Sequence, residues 1–178
     1  MYKRLVSDIT VAGTPIEILG LEFGDTFRNP VAKCTFETSA ATIDWLGSSV
    51  SVSIGLNTAT HIFSGYVTEI DYTRLPGVYK VTASNILDKA QKYYIVTSSL
   101  DQPWTRENIS AENLVRDLLE LAGITNYSGW VSGFTFGVNS KVEFNLIAAL
   151  DAIGQINNIL ATEVYAIEDT VYWAQTQP

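Results

Sequence analysis

The clearest signal in this 178-residue chain is an alternation of apolar and polar positions over its first half. In Val50-Ser51-Val52-Ser53-Ile54 the alternation is strict and Gly55 closes it, which specifies a half-buried strand. Leu5, Ile9 and Val11 share one parity of an earlier run, and Ile16 and Ile18 share a parity in the next. Ala12-Gly13-Thr14-Pro15 between them reads as a hairpin connection. After Asn29-Pro30, Ala32, Cys34 and Phe36 face one way and Lys33, Thr35 and Glu37 the other. A long strand follows from His61 to Tyr72 with Gly65 inside it. An interior glycine weakens a strand, so it is expected to mark a bulge or a sharp bend. Leu75-Pro76-Gly77 supplies turn chemistry, and Val78 to Ala83 returns as the partner strand. A short helical turn is expected from Ser84 through Ile86, Leu87 and Ala90.

The period then changes. Leu114, Val115, Leu118, Leu121 and Ala122 form one helical stripe, with Ser110 as the expected N-cap, Glu112 in the first turn and Gly123 just past the end. Asn145 is expected to cap a second helix from Leu146 to about Ile156, with Leu146, Ala149, Leu150 and Ile153 on one face. Gly154 weakens its continuation. Val164–Ile167 and Val171–Trp173 complete the chain as a hairpin turning at Glu168-Asp169-Thr170. The expected fold class is therefore α+β, mainly β. A small barrel-like antiparallel β domain over residues 1–103 precedes a helix–strand–helix–hairpin subdomain over residues 104–178, with the seam at Gln102–Asn108.

Composition changes this picture in one respect. Charged residues make up only 17% of the chain and aromatics 11%, so much of the surface is of the kind that meets other proteins. Of the net charge of −8, most lies late: residues 111–178 hold two basic and eight acidic groups. Clustered Lys and Arg are missing, which disfavours phosphate-backbone and anionic-membrane binding. No apolar run reaches the about 18 residues of a bilayer span. The start, Met1 to Leu5, leads into Asp8 and Thr10 and does not read as a secretory signal. Asn108-Ile-Ser110 and Asn126-Tyr-Ser128 match the glycosylation pattern by chance.

Candidate chemistry is sparse. His61 is the only histidine and Cys34 the only cysteine, so neither a nucleophile–base pair nor a tetrahedral zinc site is expected. Glu69 with Asp71, Glu168 with Asp169, and Glu143 read as surface carboxylates; none forms a calcium loop. Glu69, Asp71 and Glu143 would also serve as glycosidase carboxylates, but nothing selects them. Gly123, Gly129, Gly133 and Gly137 lack the Gly-Lys-Ser/Thr of a phosphate loop. The chain is thus expected to be no enzyme, with no catalytic residue, cofactor or metal. Trp104 and Trp130, beside polar residues, are candidates for an oligomer interface, for capping the chain's own core, or for stacking on a sugar.

The run Phe63-Ser64-Gly65-Tyr66-Val67-Thr68-Glu69-Ile70, preceded by Val50–Gly55 and followed by Tyr79-Lys80-Val81-Thr82-Ala83-Ser84, resembles bacteriophage tail-tip and baseplate hub proteins. These include the baseplate hub of contractile tails and the N-terminal hub region of siphophage tail-associated proteins. The Leu114–Gly123 helix, the Ile147–Gly154 helix and the Glu163–Trp173 hairpin continue that order, so the resemblance spans roughly residues 48–175. It implies a structural virion component at the tail tip, assembled in the host bacterial cytoplasm. The component would form a homotrimeric ring against the distal tail or tail tube protein and the tape measure protein, around a channel that passes DNA and that the acidic excess would line. Such hubs carry two related barrels per subunit and this chain has room for one. The expectation is a fragment of a longer hub or a reduced hub. The alternative reading is a carbohydrate-binding β module of a receptor-binding or cell-wall-targeting protein.

Overall fold

The structure is a computed structural model that describes residues 5–24, 30–97, 102–129 and 132–176. Its residues cluster into two compact units: residues 1–85 with Ile167–Asp169, and residues 86–166 with 170–178.

The first unit is one antiparallel sheet. Its strands are β1 (Leu5–Val11), β2 (Thr14–Ile16), β3 (Gly20–Gly24), β4 (Lys33–Thr38), β5 (Ser49–Leu56), β6 (Thr60–Tyr72) and β7 (Tyr79–Ser84). They lie in the order β2-β1-β5-β6-β7-β4-β3. Alternation along each strand sends Ile9, Val11, Cys34, Phe36, Val50, Val52, Phe63, Val67, Val81 and Ala83 into one core. The strands with clear period two in the sequence form as expected, because a one-residue slip would turn each apolar set out to water.

The sheet is not a closed barrel, which corrects the expected barrel-like domain. Among the described residues β2 and β3 each pair on one side only. The sheet is nevertheless curled. Seven flat strands about 4.8 Å apart would hold the outer two about 29 Å from each other. Here those two are consecutive, and the four residue steps from Ile16 to Gly20 reach about 14 Å at most. The sheet must roll until its edges approach.

Bulges supply the bend, though not where the glycine was expected to mark one. β6 departs from register with β5 at Ile62, and with β7 at Thr68. Gly65 lies between these two bulges, opposite Val50 and in register. Its role is close approach: a Cβ here would stand 2.7 Å from Phe63 Cζ and inside contact distance of the Ser84 carbonyl. Thr68, the extra residue, donates its hydroxyl to Thr82 O at 3.2 Å.

The second unit is built on helices α1 (Leu87–Lys92), α2 (Ala111–Leu121) and α3 (Ala149–Leu160). Around them lie β8 (Tyr94–Ile95), β9 (Trp104–Arg106), β10 (Ile109–Ser110), β11 (Tyr127–Gly129), β12 (Thr135–Phe136), β13 (Val142–Phe144), β14 (Ile147–Ala148), β15 (Thr162–Ile167) and β16 (Thr170–Gln175). Residues 86–97, expected to belong with the first domain, cluster here instead. Leu87, Ala90 and Ile95 are buried, and β8 pairs with β14.

Both longer helices start from a two-residue strand rather than from a capping side chain. Ser110 sits at the N-cap of α2, but its hydroxyl makes no capping bond; Ala111 N donates to Phe134 O at 2.9 Å. Asn145 is not a cap, since α3 begins at Ala149, whose N–H donates to Tyr93 O at 2.9 Å. A carbonyl next to a short strand, Phe134 O before β12 and Tyr93 O before β8, thus takes the first of the four amides that each helix start leaves unpaired. At the other end of α2 the reading holds. Gly123, at φ +75°, lets its own N–H reach Glu120 O and the Ile124 N–H reach Leu119 O, with Leu119 and Ile124 both buried: a Schellman end.

Two glycines separate these effects. Gly65→Ala is predicted to cost about 2 kcal/mol or more, because backbone cannot yield to the new methyl. Gly154→Ala, with nothing within 4 Å inside α3, is predicted to stabilise by about 0.5–1 kcal/mol. Urea midpoints of the two variants check both signs.

Candidate assembly surfaces

The structure separates the residues that nucleophilic chemistry would need together. Cys34 lies fully buried in the core, and burial pushes its thiol up to about 12. His61 is exposed, with Nδ1 3.2 Å from Ser51 Oγ and Nε2 3.0 Å from Ser64 Oγ. Glu69 and Asp71 are exposed on one face of β6, opposite Thr82 and Lys80. Among the described residues no three His, Cys, Asp or Glu side chains gather as a metal site.

The outward face of the first unit is a field of hydroxyls. Ser51 stands opposite Thr10 and Ser64, Ser49 opposite Tyr66, and Thr82 opposite Thr35. Thr35 and Thr82 hydroxyls lie 3.5 Å apart, and the Thr68 hydroxyl lies 3.3 Å from that of Ser84, which is buried. Charge on this face is carried by Asp8, Lys33, Glu37, Glu69, Asp71 and Lys80, with Glu69 directly opposite Thr82. The Ser-Val-Ser-Val-Ser alternation carried this pattern in the sequence, where only its apolar half was used.

The two edges differ. In the turn that joins β1 to β2, Ala12 and Gly13 both have positive φ, which makes Val11 and Thr14 the hydrogen-bonded closing pair. Thr10 and Pro15 are the next pair, so the proline nitrogen faces the open side and offers no donor. The β3 edge has no such guard. Leu19 is 61% exposed beside it and Phe23 39% exposed on it, with the Phe23 ring edge-on to Phe63 at 6.3 Å.

Trp104 is half-buried on β9 in the second unit, opposite Phe144. Its ring stacks on Phe144 at 6.1 Å, and the Arg106 guanidinium lies 4.1 Å from its centroid. Arg106 Nε donates to Asp117 Oδ2 at 2.7 Å, which ties this ribbon to α2. Trp130, the other candidate, lies outside the described residues. A triad missed by sequence reasoning fixes the hairpin to α3: the buried Trp173 Nε1 and Thr162 Oγ1 each donate to Oδ1 of the half-buried Asn157 at 2.9 Å. The exposed hairpin face carries a further pair, Tyr165 stacked on Tyr172 at 5.5 Å.

Burial of Cys34 yields a pH prediction. The thiol stays protonated in the folded state up to about 12, whereas the unfolded thiol ionises near 9.0. Stability from this group is therefore full below pH 9 and falls as pH rises towards 12, with a slope of up to about 1.4 kcal/mol per unit. Other groups titrate in this window, so the check is the difference between the native chain and Cys34→Ala in denaturant series. That difference should shrink with pH, and a constant difference contradicts the burial.

No family model matches the sequence, and no curated protein does. Solved structures match it throughout. A tail protein from Neisseria meningitidis superposes with a TM-score of 0.71 at 11% identity, covering 95% of this chain and 51% of its own. The 43 kDa tail protein of prophage MuSo2 from Shewanella oneidensis gives 0.71 at 9% identity, covering 96% and 54%. An E. coli component of the type VI secretion system, described as structurally similar to T4 bacteriophage tail proteins, gives 0.65 at 11% identity, covering 95% and 49%. The chain spans about half the length of the structures it matches. At these identities the likeness is one of fold: the resemblance read from residues 48–175 is met by the architecture, and this chain has the fold of phage-type tail proteins.

Proposed function

We propose that the chain is a structural component of a phage-type tail, a hub subunit that closes into a ring of three copies at the distal end of the tail tube. The observation that carries this reading is the fold match over 95% or more of the chain to two tail proteins and a type VI secretion system component from separate bacterial sources. The low charge content and exposed apolar side chains such as Ile43, Tyr72 and Leu75 suit a protein that meets neighbours over much of its surface. Its partners in this reading are its own copies, the distal tail or tail tube protein and the tape measure protein, with DNA passing through the channel. Its place is the tail tip. Trp104 and Trp130 remain the proposed interface aromatics. A ring needs heterologous contacts, in which one patch meets a different patch on the next copy. Because the chain matches half of each longer tail protein, a second half supplied by further chain or by another subunit belongs to the same reading.

Native mass spectrometry with negative-stain imaging tests it. Closed three-membered rings, alone or on addition of the tail tube protein from the same gene neighbourhood, are the predicted outcome. A strict monomer that also ignores that tube protein contradicts the proposal.

A further inference from the structure

The two edges of the curled sheet are chemically unlike, and the difference describes a partner. The β2 edge is three residues long with Pro15 turned outward, so an added strand finds no donor at its centre. The β3 edge offers five residues without proline, paired on one side with β4 and, among the described residues, with nothing on the other. Leu21 of β3 packs on the core from this edge, Phe23 is partly open to water and the adjoining Leu19 largely so. An added strand would cover them with its own apolar side chains on the core face.

The opposite face sets the partner's charge. Outward positions of β3 are Gly20, Glu22 and Gly24. Gly20 has no side chain to screen its neighbour, and Glu37 Oε2 lies 3.8 Å from where a Cβ would stand. Glu22 is exposed between the two glycines, and Glu17 is exposed just before the strand. A cation on an added strand opposite Gly20 or Glu22 therefore meets two carboxylates across a bare backbone. Opposite Gly24 it meets Lys33, the residue paired there, and is repelled. That fixes the basic positions to one half of the added strand.

We propose that the open edge of β3 takes an extended strand of a partner protein in which apolar residues alternate with Lys or Arg. The backbone ladder supplies affinity, while Leu19, Phe23, Glu22 and Glu37 supply selection. This goes beyond the hub reading, since it assigns a partner class to one edge whatever ring the chain enters.

The test uses the full chain and two synthetic peptides, one alternating Val with Lys and one alternating Val with Glu. NMR titration should show the Lys peptide binding at least tenfold tighter, with the largest amide shifts at Gly20–Gly24. Methylating alternate backbone nitrogens of the Lys peptide should abolish binding. The double variant Glu22→Lys/Glu37→Lys, both at solvent-reached positions, should reverse the preference towards the Glu peptide. Equal affinities, shifts away from β3, or a preference unchanged by the charge reversal would each overturn the proposal. So would self-association of the peptide-free chain through β3, which would identify a second copy as the occupant.

Discussion

Three residues, Glu17 to Leu19, join the two outermost strands of a seven-stranded sheet, and the shape of the first unit follows from that short tether. A flat sheet cannot satisfy it. The curl needs places where β6 gains a residue on its neighbours, and Ile62 and Thr68 provide them. Between the two, Gly65 lets the Ser84 backbone come close enough for the rolled sheet to pack Phe63 and Val67 inward. Curl, bulges and glycine are thus one device. Leaving the roll short of closure gives the core an accessible side, where Phe23 is partly open.

The second unit solves a different problem, that of starting helices without capping side chains. Short strands deliver α2 and α3 with their first amides already bonded to a neighbouring carbonyl. This couples each helix start to a ribbon, so the ribbons and helices are expected to order together. Arg106 on Asp117 and Asn157 on Trp173 add side-chain ties of the same kind, each joining a helix to a strand. α2 and α3 pack on each other, and Leu114, Leu118 and Leu119 of α2 and Ile153 and Ile156 of α3 are buried.

Much of this was legible in sequence because periodicity survives burial. β4 to β7, the Gly123 end and the terminal hairpin follow from spacing and turn residues, as do Leu114, Val115 and Leu118 of the α2 stripe, although Leu119 is buried where Leu121 was expected to be. What was hidden depends on distant partners. Ser110 and Asn145 look like caps, yet Ser110 Oγ makes no capping bond and α3 starts only at Ala149, where the β14–β8 pairing and the Tyr93 carbonyl set the helix start. Gly65 points to a bulge or a sharp bend, because these and a close approach leave the same single letter; only Ser84, nineteen residues on, tells them apart. Closure was also beyond reach, since the number of strands does not say whether the outer two pair. Of the candidate site, the absence of a Cys34–His61 pair could be argued from scarcity, but the unequal edges required the register of Pro15.

The first unit presents a hydroxyl face, one blunted edge and one open edge, and the chain has a fold shared with tail proteins. The open, curled sheet is the claim on which the edge argument and the accessible core side both rest. Amide hydrogen exchange of the isolated chain measures it directly. An open β3 predicts alternation within Gly20–Gly24, the amides turned to β4 protected and those turned outward exchanging fast, while β7 at the centre is protected throughout. Uniform protection along β3 would mean that the sheet closes on itself, and would contradict the account.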